Sequence, residues 1–82
     1  MTLFPYTTLF RSDRRMRSIA TLAALTALDR PDELRLHLRA ALRNGLSREE
    51  VAEVLMHTAV YAGVPAANRA FALAREAWAE EA

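Results

Sequence analysis

Leu46–Gly63 reads LSREEVAEVLMHTAVYAG, and this stretch carries its own start and stop signals. Ser47 followed three residues later by Glu50 is a capping box, in which each side chain satisfies the other's backbone N–H. Leu46 and Val51 stand at the matching hydrophobic-staple positions. Val51, Val54, Leu55, Thr58 and Ala62 recur at helical spacing as an inner stripe, and Gly63 ends the run. A helix closed at both ends with one apolar stripe needs partners to cover that stripe.

The neighbouring segments supply them. DRPDELRLHLRAALRNG (residues 29–45) places Pro31 at a first helical position, with Asp32 and Glu33 where the helix dipole favours anions. Leu34, Leu38, Ala41 and Leu42 form its core face, and Asn44-Gly45 ends it with Gly45 free to take a left-handed cap. MRSIATLAALTAL (16–28) holds no Gly or Pro and is apolar on nearly every face, which predicts a helix buried on several sides. VPAANRAFALAREAWAEEA (64–82) begins with Pro65 and carries a stripe of Ala67, Ala70, Phe71, Ala74 and Trp78. Its flanking alanines let another helix approach closely. The prediction is an all-α fold, a small bundle of about four helices.

Eighty-two residues make one small domain with a thin core. Cysteine is absent, which leaves neither disulfides nor thiolate metal sites to staple it. Homo-oligomerisation is the expected extra source of stability. A formal net charge of +1 argues against a general nucleic-acid binder. All eleven basic residues are Arg, which together with the abundant alanine reads as GC-rich coding bias. No apolar run reaches the roughly 20 residues that span a bilayer, and Pro5, Tyr6 and two Thr break the N-terminus as a signal peptide. A cytoplasmic location without membrane association is the resulting expectation.

Three segments, DRRMRSIATLAALTAL (13–28), RPDELRLHLRAALRNGLSREEVAEVL (30–55) and HTAVYAGVPAANRAF (57–71), resemble the carboxymuconolactone decarboxylase family. HLRAALRNGLSREE and AVYAGVPAA are the specific parts, and both occur at the family's spacing. The resemblance implies the all-helical fold shared with alkyl hydroperoxidase D-like proteins, assembly into homo-oligomers, and the branch that works on 4-carboxymuconolactone in bacterial protocatechuate catabolism. It also implies that the chain is N-terminally truncated, because family members carry more helix before the DRR segment. There TLFPYTTLFRS (2–12) stands instead, with no alanine, two of the three Phe and one of the two Tyr. It reads as the in-frame translation of a sequencing-library adapter. The expected organisation is an artefactual segment at 1–12, in which Phe4, Tyr6 and Phe10 have no selected packing role, followed by an incomplete domain at 13–82.

The implied reaction is decarboxylation of 4-carboxymuconolactone to the 3-oxoadipate enol-lactone. The leaving carboxylate's electrons delocalise onto the lactone carbonyl as a dienolate, so the substrate carries its own electron sink and no cofactor or metal is expected. The protein must hold a dicarboxylate, stabilise an enolate oxygen and deliver a proton to carbon. His37 is the first candidate proton donor. It lies four residues after Glu33, and a carboxylate beside an imidazole fixes its tautomer and favours the protonated form. The same spacing also describes an ordinary surface Glu–His pair. His57 is the second candidate, on a polar stripe of Glu50, Glu53, His57 and Tyr61 that equally describes a solvent-boundary flank. Glu50 is already engaged by its cap. Arg suits an anionic substrate because its planar fork matches carboxylate. Arg30, Arg39 and Tyr61 are the substrate-binding candidates. The ridge Arg35, Arg39, Arg43 also reads as a solvated face paired with Glu49 and Glu53. Arg14, Arg15 and Arg17 stand beside the adapter junction, which obscures their setting. The Gly63-Val64-Pro65 connection reads as a tight turn.

Three other readings remain. The redox relatives place Cys-x-x-Cys four residues before a His, but here Arg30 and Glu33 occupy those places before His37, so thiol peroxidase chemistry is rejected. GLSREEVAEVL has the look of the first helix of a DNA-binding helix-turn-helix, although AANRAFALAREAW offers a groove only Asn68, Arg69 and Arg75. A non-catalytic oligomerisation bundle, or an enzyme inactivated by truncation, completes the set.

Overall fold

A computed structural model describes residues 13–81. The 1–12 segment, with Phe4, Tyr6 and Phe10, lies outside the described residues. Among the described residues the chain forms four helices: α1 Arg14–Leu28, α2 Pro31–Arg43, α3 Arg48–Ala62 and α4 Val64–Glu81.

Each boundary has a local cause. Asp13 caps α1, its carboxylate accepting from the Met16 backbone N–H at 3.1 Å. Asp29 ends α1 in the left-handed region (φ 59°), and its carboxylate then takes the Arg69 Nε–H at 2.8 Å, tying this turn to α4. Pro31 opens α2. The same helix closes in a Schellman arrangement, with Gly45 N–H donating to Leu42 O at 3.2 Å and Leu46 N–H to Ala41 O at 3.0 Å. Gly45 has φ +99°, the conformation that favours a residue without a Cβ. Both halves of the capping box at α3 are formed, Glu50 N–H to Ser47 Oγ at 3.0 Å and Ser47 N–H to Glu50 Oε1 at 2.9 Å. Leu46 and Val51, the staple pair, are both buried.

Successive helices run in opposite directions along the chain, and the four pack as a square. α1 packs on α2 and α3, α4 packs on α2 and α3, and the diagonals α1/α4 and α2/α3 touch little. α1 and α3 therefore run side by side in one direction, as the Arg15–Glu50 pair shows. α2 and α4 do the same, linked by Arg35 to Glu76 and Arg39 to Glu80. The core is Leu22, Leu34, Leu38, Ala41, Leu46, Val51 and Leu55 against Ala70, Ala74 and Ala77 of α4. Leu22, Leu38 and Leu55 are fully buried, each contributing roughly 1.5–3 kcal/mol. The small side chains of α4 let its neighbours approach, and Trp78 closes that seam, its indole N–H directed at Leu38 O at 3.4 Å.

Two expectations are corrected. α1 is not buried on several sides: it buries only Ser18, Leu22 and Thr26, while Met16, Ala20, Ala24, Ala27 and Leu28 face outward. A corner helix of a square touches two neighbours and leaves the rest of its surface open. Arg35 and Arg39 of the α2 ridge do not pair with Glu49 and Glu53. Arg35 and Arg39 turn to Glu76 and Glu80, because α2 lies beside α4 and diagonal to α3. No described helix is long and apolar enough to cross a membrane.

Candidate functional site

The square leaves a cleft on each side of α1. On the α2 side, Arg14, Arg17, Ser18 and Thr21 of α1 face His37 and Asn44 across a space of about 360 Å³. The α1 residues stand at i, i+3, i+4 and i+7, one polar stripe along the helix. That stripe was the available signal for this site. It was obscured because Arg14 and Arg17 adjoin the segment at 1–12, and because Asn44 reads first as a helix stop.

The floor of this cleft is braced. Asn44 Nδ2 donates to Ser18 Oγ at 2.9 Å, linking α1 to the end of α2. Arg15, next to Arg14 in the chain, donates to Gly45 O at 2.7 Å and to Glu50 Oε2 at 2.6 Å. The Glu50 carboxyl is held down to about 2, first by the Arg15 guanidinium and then by the Ser47 backbone N–H. Arg15 is pushed up by the same pair. These contacts hold the α2–α3 loop, and with it Asn44, against the start of α1.

On the α3 side the character changes. Ala23, Ala24, Ala27 and Ala62 line a groove of about 520 Å³ with His57, Thr58 and Tyr61 at its edge. An adjoining space of about 340 Å³ runs past Ile19, Val54 and Glu53. The His57 and Tyr61 rings meet edge-on, with centroids 5.6 Å apart. Thr58 turns its hydroxyl to Val54 O at 2.7 Å.

The six residues singled out from sequence thus separate into distinct places. His37 lines the polar cleft. Glu33 does not brace it: the carboxylate pairs instead with Arg30, at 3.6 Å, at the exposed start of α2. His57 and Tyr61 are together on the apolar groove. Arg39, about 200° around α2 from His37, is held by Glu80 on the opposite side of the bundle. Chemically, the polar cleft presents two guanidiniums, an imidazole, two hydroxyls and an amide. That set can hold carboxylates, donate hydrogen bonds and move one proton.

An all-α bundle of alternating helices, with an imidazole and two guanidiniums across one inter-helix cleft, is the class that fold and site define. The chain belongs to the carboxymuconolactone decarboxylase family, whose model matches residues 6–76, starting inside the segment at 1–12. It is 49% identical over 63 residues to the 4-carboxymuconolactone decarboxylase of Acinetobacter baylyi, a match covering 77% of this chain and 47% of that protein. Over 53 residues it is 42% identical to the nitrosuccinic acid decarboxylase of Metarhizium robertsii, covering 65% of this chain and 37% of the relative. An uncharacterized 15.0 kDa protein of Paracoccus denitrificans is 35% identical over 72 residues, covering 84% of this chain and 53% of its own. The chain spans about half the length of the curated relatives it matches.

Proposed function

We propose that the polar cleft between α1 and α2 is the site of a cofactor-independent decarboxylase acting on a small dicarboxylate lactone, 4-carboxymuconolactone. The observation that carries this reading is the placement of His37 opposite Arg14 and Arg17 in one cleft. The relative of A. baylyi carries the corresponding activity in its name, and that of M. robertsii is also a decarboxylase.

In this reading Arg14 and Arg17 hold the carboxylate that is retained, by charge-assisted hydrogen bonds. The carbon–carbon bond to the other carboxylate breaks, carbon dioxide leaves, and the electron pair passes through the ring double bond onto the lactone carbonyl. His37, protonated, then gives its proton to carbon, and the dienolate becomes the enol-lactone. Solvent returns a proton to the imidazole. The active assembly is proposed to be a homo-oligomer, supported by the outward-facing Met16, Leu28, Val60, Tyr61 and Val64.

The test is turnover of 4-carboxymuconolactone by the intact chain, with His37→Ala and His57→Ala in parallel. The expected result is loss of about 10²–10⁴-fold in kcat for His37→Ala and a smaller change for His57→Ala. Full activity in His37→Ala removes the reading.

A further inference from the structure

Ser18 is 8% exposed, yet it lines the polar cleft. It is the one strongly buried polar side chain among those that form it. A serine hydroxyl has one proton to donate and two lone pairs. In α3, Thr58 directs its proton to a carbonyl one turn back, Val54 O, at 2.7 Å. Ser18 has a different partner: its oxygen accepts the Asn44 amide at 2.9 Å. An accepted bond on one lone pair turns the hydroxyl so that its own proton is directed elsewhere, and the cleft is the open side.

Asn44 is itself fixed in place. Its backbone N–H closes α2 onto Ala40 O at 2.9 Å and Ala41 O at 3.2 Å. The next residue's carbonyl, Gly45 O, is held by Arg15 at 2.7 Å. The amide that orients Ser18 therefore belongs to a helix cap locked to α1, and the donor is set before any ligand arrives. Preorganised donors of this kind are most effective where negative charge develops on oxygen during reaction.

We infer that Ser18 donates its hydroxyl hydrogen bond to the enolate oxygen formed on the lactone carbonyl, and that Asn44 is the positioning residue that aims it. This rests on the proposed decarboxylase site. No proton leaves Ser18: the bond lowers the energy of the dienolate while the electron pair resides on oxygen, and weakens once His37 has protonated carbon. In this arrangement Arg14 and Arg17, on the same α1 stripe, face the retained carboxylate.

The experiment measures kcat and KM for 4-carboxymuconolactone with the intact chain. Ser18→Ala is expected to lose about 10²–10³-fold in kcat with KM little changed. Asn44→Asp keeps Ser18 but offers it an acceptor, drawing the proton away from the cleft, and should lower kcat in the same direction. Ser18→Thr, which restores a hydroxyl, should recover much of the loss. Circular dichroism accompanies each variant; if Ser18→Ala unfolds, Asn44→Asp and Ser18→Thr decide. Unchanged kcat in the Ser18 and Asn44 variants, with His37→Ala inactive, overturns the inference and leaves the site standing. A rise in KM at constant kcat also overturns it, since that marks binding alone. No turnover by the unaltered chain, or full turnover by His37→Ala, removes the site and the inference together.

Discussion

The guanidinium of Arg15 on α1 grips the carboxylate of Glu50 on α3 at both oxygens, Nη2 to Oε2 at 2.6 Å and Nη1 to Oε1 at 3.2 Å. Glu50 is at the same time half of the α3 capping box. One carboxylate thus starts α3 and joins it to α1.

That dual role predicts an acid-sensitive contribution to stability. The Glu50 carboxyl sits at about 2 in the fold against an ordinary 4.5. As pH falls, the unfolded chain takes up this proton first, which favours unfolding. The contribution is complete above about 4.5 and is lost progressively down to about 2. Denaturant midpoints measured on both sides of this window should fall more steeply with acid in the unaltered chain than in Glu50→Gln.

Leu38 is fully buried among α2, α4 and the core leucines. Leu38→Ala should cost about 2–5 kcal/mol, a large part of the roughly 5–15 kcal/mol that holds a domain together. Leu38→Met, close in volume, should cost less than about 1.5 kcal/mol. Thermal melts followed by circular dichroism separate the two.

Gly45 tests conformation without crowding. A Cβ there meets Arg15 Cγ at 3.7 Å, an ordinary contact, but the backbone has φ +99°. Gly45→Ala should therefore destabilise by about 1–2 kcal/mol through backbone strain alone. Gly45→Asn should cost less, since Asn tolerates this region better. Urea unfolding of the three chains gives the order.

Arg39 is half-buried and joined to Glu80. Arg39→Met, which keeps the aliphatic stem, and Glu80→Gln should each cost about 1 kcal/mol or less. Their double variant should cost less than the sum, and a double-mutant cycle of unfolding free energies reads that coupling.

Val60 is 73% exposed and adjoins Tyr61 at 81%. In an isolated chain Val60→Asp should change stability by less than about 0.5 kcal/mol. If copies associate through this face, the same change shifts sedimentation toward the single chain. An unchanged oligomer places the contact elsewhere.

Helix ends were legible because their signals are short-range. Ser47 with Glu50, Pro31, and Asn44-Gly45 act within a few residues of the bonds they make, and each appears as expected. Neighbour choice was not legible. Nothing in the Arg35–Arg39 spacing says whether α4 or α3 lies alongside, and the acids that answer the ridge are some forty positions away. The outward face of α1 was misjudged for a related reason: apolar residues state what can be buried, not how many neighbours arrive. Among the residues lining the two clefts, His37, His57 and Tyr61 stand out by residue type. Ser18 and Asn44 acquire their meaning only from the bond between them.

The crossing from α2 to α3 traverses a diagonal, so consecutive helices there are not each other's main support. No hairpin cut from this chain at that crossing would keep both of its seams. A protease nick in residues 44–47 would sever a connection that local pairing cannot replace. Such a topology favours acquiring order in a single concerted event rather than helix by helix, and exchange-protected amides in all four helices should open together.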